Sequence, residues 1–202
     1  MQTNKRSALY TLARWIYSVC FYLLFRGHVE GREHIPPEGA VVLMSNHIHA
    51  LDPLTVAMCV PRRQLHFVAK KELFEKKLFS RVLRALHAIP VGRGEFDLAA
   101  MRESLAVLHA GEVLAIFPEG HRCNAPGELG ELHSGSALLA LRSAVPVIPV
   151  YIVAPPRLFR RQRIRIGAPI DTADLRARGV DNESATLLVQ RMREALLALR
   201  AR

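Results

Sequence analysis

Short unbroken apolar runs alternate along this chain with longer segments in which apolar residues recur every three or four positions. The runs at 40–44, 65–69, 89–91, 113–117 and 147–153 have the length of buried strands, and 163–166 reads as a further one. Leu73, Phe74, Leu78, Val82, Leu83 and Leu86 keep helical spacing over 71–86, a pattern that predicts a helix packed by that face. The same period predicts helices over 96–110 and 136–143, and an amphipathic one over 182–200. Asp52 and Pro53 form a helix start, with Asp52 as N-cap and Pro53 first inside, running to about residue 59. Strands alternating with helices predict an α/β sandwich with a mostly buried mixed sheet flanked by helices. We find no internal repeat and no linker, so residues 29–202 are expected to form one domain.

The apolar segment 8–25 lies ahead of that domain, preceded by Lys5 and Arg6. Arg14 interrupts it, and Arg26, Gly27 and His28 stand where a secretory signal needs its cleavage site. What remains is an amphipathic helix carrying Leu9, Leu12, Trp15, Ile16, Tyr17, Phe21, Tyr22, Leu24 and Phe25. Such aromatics suit the membrane–water interface, and basic flanks suit anionic head groups. Residues 1–28 are therefore expected to be a membrane-associating interfacial helix, with a first helix packed on the core as the plainer alternative. The longest stretch free of Asp, Glu, Lys and Arg is 143–156, shorter than the roughly 20 apolar residues of a spanning helix.

At 202 residues, half of them hydrophobic and 23% charged, the composition excludes a disordered or low-complexity chain. Three cysteines, Cys20, Cys59 and Cys123, are an odd number without CxxC spacing, so neither a disulfide framework nor a zinc knuckle is indicated. A reducing compartment is the simplest setting. Lys and Arg total 28 against 18 acidic residues, a net charge of +10, which calls for a polyanion. Nucleic acid, an anionic membrane and phosphorylated substrates all qualify. With only 6% aromatics, base stacking has little to work with, so Arg157, Arg160, Arg161, Arg163 and Arg165 are better matched to anionic lipid.

Chemistry gathers where strands end, which is where α/β sheets place ligands. His47 and Asp52 follow the first core strand. An imidazole moves protons near neutral pH, and a carboxylate on its far nitrogen fixes the tautomer and stabilises the imidazolium. By itself an HxxxxD spacing is weak, and a helix cap beside an ordinary loop histidine would explain it. Phe117, Pro118, Glu119, Gly120, His121 and Arg122 follow another core strand. There Glu119 is placed to accept a bond from a substrate hydroxyl, and Arg122 offers a planar fork for a phosphate. Lys70, Lys71 and Arg93 stand after two further strands. Together these residues suit an acceptor that carries both a phosphate and a hydroxyl.

His47-x-His49 with Asp52 also suggests a metal-dependent hydrolase. That pattern needs the carboxylate one position earlier and a histidine after it, where Leu51 and Pro53 stand. Cys123 as an acyl-transfer nucleophile is a further rival.

Five segments settle the preference: Asn46-His47-x-His49-x-x-Asp52-Pro53, Phe67-Val68-Ala69-Lys70-Lys71-Glu72-Leu73, Ile89-Pro90-Val91-Gly92-Arg93, Phe117-Pro118-Glu119-Gly120-x-Arg122 and Val147-Ile148-Pro149-Val150. Their order and spacing, over about 29–170, resemble the glycerolipid acyltransferase family. The resemblance implies that His47 deprotonates an acceptor hydroxyl and that Asp52 orients it. The oxygen then attacks the thioester of acyl-CoA or acyl-carrier protein directly, with no cofactor and no metal. It further implies that Arg93, Glu119, Gly120 and Arg122 bind the glycerol phosphate of a lysophospholipid, with Lys70 adding to the phosphate site and Pro149 near the acyl donor. The acceptor so implied is 1-acyl-glycerol-3-phosphate, and the place of work is the cytoplasmic face of the cell membrane. His49, His121 and Cys123 depart from the family's usual residues, which leaves another lysolipid, such as a lyso-ornithine lipid, open as acceptor.

Overall fold

A computed structural model describes residues 8–92, 97–122 and 128–202. Its centre is one seven-stranded mixed sheet. The strands are β1 (His28–Glu30), β2 (Val41–Ser45), β3 (Leu65–Lys70), β4 (Ala88–Val91), β5 (Val113–Ile116), β6 (Val147–Ile152) and β7 (Arg163–Ile166). They lie in the order β1-β7-β6-β2-β5-β3-β4, parallel from β6 to β4, with β7 antiparallel to β6 and parallel to β1. All five residues of β2 are buried, as expected of a strand covered on both faces.

The helices are α1 (Ala8–Val19), α2 (Asp52–Ala57), α3 (Lys77–Ala85), α4 (Leu98–His109), α5 (Ser134–Ser143), α6 (Ala173–Arg178) and α7 (Asn182–Ala201). One face of the sheet packs on α4, α5 and α7 through Val42, Met44, Leu108, Leu141, Leu188, Met192 and Leu196. The other packs on α1, α2 and α3 through Leu43, Val56, Tyr17 and Phe21, with Phe74, Leu83 and Leu86 at its margin. Crossovers toward β4 use the second face and those back toward β6 use the first. The loops after β2, β5, β3 and β4, four neighbouring strands, therefore share one edge of the sheet.

The expected strands and the mixed sheet are present. Two elements escaped the pattern: β1 has only three residues, and α6 carries a single buried apolar residue, Leu175. The helix expected over 71–86 is a 3-10 turn, Lys71–Phe74, followed by the shorter α3. Its apolar residues do not all face inward, and no α3 residue is fully buried.

Asp52 departs from its expected role. Leu51 holds the N-cap position without a side-chain bond, and Asp52 is the first helical residue. Its carboxylate turns back over the preceding loop, where three donors await it. Ahead of the sheet, α1 and a π turn, Cys20–Leu24, bury Tyr10, Tyr17 and Phe21 while exposing Leu12, Trp15, Ile16 and Leu23. One flank of this N-terminal segment is core, and the other is apolar surface.

Candidate active site

Residues 46–51 leave β2 from a fixed point. The Asn46 side-chain amide donates from Nδ2 to the Ile152 carbonyl at 3.0 Å and accepts the Ile152 N–H on Oδ1 at 2.8 Å. That clasp ties the end of β2 to β6. His47 Nδ1 then lies 2.8 Å from Asp52 Oδ2. The same oxygen accepts the backbone N–H groups of Ile48 and His49, each at 2.7 Å. Asp52 is fully buried, whereas a fifth of the His47 side chain is exposed. With Nδ1 directed at a carboxylate oxygen that accepts two further N–H groups, Nδ1 is the donor of this pair. Nε2 then carries the free lone pair, and it makes no hydrogen bond among the described residues. The ring lies against Phe117, centroids 4.5 Å apart and planes 30° from parallel. Tautomer, tilt and height of the imidazole are all determined.

The second loop is locked to the first. Gly120 closes a turn on the Phe117 carbonyl at φ +66, a left-handed conformation that glycine adopts without strain. A Cβ there would also meet the His133 ring at 3.1 Å. Glu119 is wholly buried, and its two oxygens accept the His47 N–H at 2.9 Å and the Gly130 N–H at 3.0 Å. The expectation that it bonds a substrate hydroxyl meets a different arrangement: the carboxylate ties the loop after β2 to the loop after β5. His121 and Arg122 are exposed on the same edge.

Lys70 ends β3 and pairs with Glu72 at 3.2 Å, a half-exposed contact of little energetic weight. Arg93 and Cys123 lie outside the described residues. Gly92, just ahead of Arg93, is anchored, because Asp97 caps α4 through Ala99 and Ala100 and also accepts the Gly92 N–H at 2.8 Å. Pro149 is buried within β6 opposite Met44, on the face that α7 covers, and its carbonyl accepts the Gly167 N–H. It sits in the sheet, three residues before the Ile152 clasp.

His49 is turned to its own loop, with Nδ1 accepting the Leu51 N–H at 3.2 Å. Among the described residues no three His, Cys, Asp or Glu side chains converge as a metal would require. Cys59 is a core thiol whose pKa burial pushes up to about 12, far from a reactive thiolate.

A third layer was not read from the sequence. Thr55, one turn beyond Asp52, donates to the Leu51 carbonyl at 3.2 Å. Its hydroxyl oxygen accepts from Tyr17 of α1 in a short buried bond and from Gln162 at 3.4 Å. Burial raises the Tyr17 pKa, so the phenol keeps its proton and donates. The helix that starts at Asp52 is thereby pinned to the N-terminal helix. Thr55 was within reach of sequence reasoning by its i+3 spacing, but nothing local marks Tyr17 or Gln162.

This α/β sheet, with a His–carboxylate pair over the end of a central strand and basic side chains beside it, is the architecture of an O-acyltransferase. The chain belongs to the acyltransferase family, whose family model matches residues 26–153. It is 30% identical over 159 residues to the 1-acyl-sn-glycerol-3-phosphate acyltransferase of Bacillus subtilis (strain 168), covering 75% of this chain and 78% of that protein. The Streptococcus pneumoniae protein of the same name is 29% identical over 156 residues, 74% of this chain and 57% of its own length. The crystal structure of the 1-acyl-sn-glycerophosphate (LPA) acyltransferase PlsC from Thermotoga maritima superposes with a TM-score of 0.71 at 24% identity, covering 100% of this chain and 85% of that one. That likeness is one of fold.

Proposed function

We propose that this acyltransferase moves a fatty acyl group from acyl-CoA or acyl-carrier protein to the free hydroxyl of 1-acyl-glycerol-3-phosphate, giving phosphatidic acid. One observation carries the proposal: Asp52 Oδ2, 2.8 Å from His47 Nδ1, leaves Nε2 as the basic nitrogen of a ring open to solvent on one side. The names of the bacterial relatives supply the acceptor.

In this mechanism His47 Nε2 takes the hydroxyl proton as the oxygen attacks the thioester carbonyl. The tetrahedral adduct collapses by breaking the carbon–sulfur bond, and the departing thiolate takes the proton from the imidazolium. Asp52 stabilises that imidazolium and never leaves its three donors. No acyl-enzyme forms, and neither metal nor cofactor takes part. General-base catalysis of this kind supplies roughly 10²–10⁴-fold, and holding both substrates together supplies much of the remainder. Arg122, Arg93 and Lys70 hold the acceptor's phosphate. Glu119 and Gly120 set the loop that presents Arg122, and Pro149 stiffens β6 beneath the donor. The proposal puts the enzyme peripherally on the cytoplasmic membrane face, where acyl thioesters are made. No described helix is long and apolar enough to cross a membrane.

The test is a lysolipid panel, including 1-acyl-glycerol-3-phosphate and a lyso-ornithine lipid, offered with acyl-CoA and separately with acyl-carrier protein. Products are identified by mass spectrometry. Phosphatidic acid as main product is expected, and Arg122→Ala should raise KM for the phosphorylated acceptor while leaving the donor's unchanged. Preferential acylation of the ornithine lipid would replace the acceptor, and no acyl transfer at all would overturn the proposal.

A further inference from the structure

The helix α3 is strongly amphipathic. Leu83 and Leu86 turn inward against the core that also holds Tyr17 and Phe21. Leu78, Phe79 and Val82, on the adjoining side, are exposed, Leu78 at 72%. Lys77, Arg81 and Arg84, spaced i, i+4 and i+7, form a basic row beside them, with Lys76 just ahead. Large apolar side chains are not left in water in such a group without a partner.

The neighbouring surface continues the pattern. α1 packs on the same sheet face, in contact with α3, and exposes Leu12, Trp15 and Ile16, and the π turn after it exposes Leu23. At its far end the Phe159 N–H donates to the Leu24 carbonyl at 2.7 Å, which brings exposed Leu158 and Phe159 to the same side with Arg157, Arg160 and Arg161. Leu51, beside Asp52, is exposed as well. Three segments distant in sequence thus present apolar side chains among basic ones on one side of the sheet. A second copy of this chain would set one basic row against another, so self-association through α3 is disfavoured. An anionic bilayer matches both features, because its interface takes the apolar row and its phosphates take the basic one.

We infer that α3 is a membrane-docking element in its own right, with Leu78, Phe79 and Val82 entering the interface of an anionic bilayer and Lys77, Arg81 and Arg84 meeting its phosphates. The inference rests on the proposed lysolipid function for its purpose, but its evidence is the surface. The enzyme then lies with the α1–α3 side of its sheet flat on the membrane, and the His47 edge opens beside lipid rather than away from it.

Trp15 is the chain's single tryptophan, so moving it gives a local reporter. The full-length Trp15→Phe/Phe79→Trp protein is titrated with phosphatidylcholine vesicles, with and without phosphatidylglycerol, some containing acyl chains brominated near the glycerol. We expect a blue shift and bromine quenching that require phosphatidylglycerol. Leu78→Asn/Phe79→Asn should weaken partitioning by roughly ten-fold or more. Lys77→Gln/Arg81→Gln/Arg84→Gln should weaken it by about 10²-fold, at roughly five-fold per basic side chain, and flatten its salt dependence. Leu78 and Phe79 are exposed, so circular dichroism and melting curves of that variant should match wild type. Arg84 lies 5.7 Å from the Phe74 ring centroid and donates to Ser80 Oγ at 3.4 Å, so a melting curve is the control for the basic-row variant. A reporter that stays in water while the protein sediments with vesicles overturns the inference. So does a basic-row variant that binds vesicles normally and instead loses affinity for acyl-carrier protein, which would make α3 a protein dock. Partitioning is measured without substrates, and also on His47→Ala. A vesicle-bound chain that transfers no acyl group therefore defeats the proposed function alone, and an active chain with a water-exposed reporter defeats the docking surface alone.

Discussion

The carboxylate of Glu119, with no solvent exposure, accepts the backbone N–H of His47 at 2.9 Å. The side chain is a brace: it holds the base-bearing loop of β2 against the loop of β5, and its other oxygen holds Gly130.

Glu119→Gln tests the brace. An amide accepts through one atom only, so one of the two N–H groups is left facing a donor. Stability should fall by about 1–3 kcal/mol, and kcat by up to roughly 10²-fold as the imidazole shifts. The fall in kcat should exceed any rise in the KM for acceptor, since the brace acts on the chemical step through His47 and on acceptor binding only through the loop that presents Arg122. Steady-state kinetics with a melting curve decide it. A large rise in acceptor KM with unchanged stability would mark Glu119 as a substrate ligand instead.

His47→Ala should lose about 10²-fold or more in kcat with the fold retained. Asp52→Asn should also be severely impaired, for a reason the geometry supplies. The variant either keeps an acceptor for the Ile48 and His49 N–H groups or turns its amide nitrogen toward them, and neither choice stabilises an imidazolium. Near-normal turnover of His47→Ala in an acyl-CoA assay would end the proposed mechanism.

Tyr17→Phe keeps the ring in the core and removes only the donor to Thr55. We expect a modest loss of stability, about 0.5–1.5 kcal/mol for a single hydrogen bond. We also expect a fall in kcat larger than any change in either KM, because the helix begun by Asp52 loses its pin to α1. Tyr17→Leu, which also breaks packing, should be worse in melting temperature. If Tyr17→Phe matched wild type in kcat, the contact would be packing alone.

How much of this was legible in the sequence follows from what each residue answers to. The strands around Leu43, Leu114 and Ile148 were legible because both faces of the sheet are covered, so the apolar runs are unbroken. The His47–Asp52 pair was legible because five residues of loop and helix start are all it spans. Glu119 was read for a substrate hydroxyl, and its bonds to the His47 and Gly130 N–H groups were out of reach of local pattern because they span 72 and 11 residues. The α3 pattern predicted a packed helix because apolar spacing reports which side avoids water, and it is silent on whether protein or another apolar phase covers that side.

His66 gives stability a pH dependence. Burial, with the neighbouring His87 ring as a second cause, holds its pKa down to about 4 against an ordinary 6.5. The two rings stand edge-on, centroids 5.1 Å apart, and neither Nε2 has a partner. Between pH 6.5 and 4 the unfolded chain binds a proton that the native ring refuses, so stability falls as pH drops through that window. The shift corresponds to a loss on the order of 3 kcal/mol, complete below about pH 4. His66→Phe should flatten the decline in melting temperature from pH 7 to pH 4.5 relative to wild type. Parallel curves for the two proteins would remove His66 from the account.

His49 separates direct acyl transfer from metal catalysis. Its Nδ1 accepts the Leu51 N–H, while His47 Nδ1 is committed to Asp52. A metal held by this HxH would have to bind through Nε2 on both rings, and Asp52 Oδ2 is already shared by three donors. Without a metal, His49 shapes only the mouth of the site. His49→Ser should then keep substantial activity, with any change appearing in the preference among lysolipids, and His121→Thr should behave alike. Extended chelator treatment should leave turnover intact on detergent-dispersed substrate, and elemental analysis should find no stoichiometric transition metal. One equivalent of zinc in the purified protein, lost together with activity in His49→Ser, would make both histidines ligands and reassign the His47 lone pair from proton to metal.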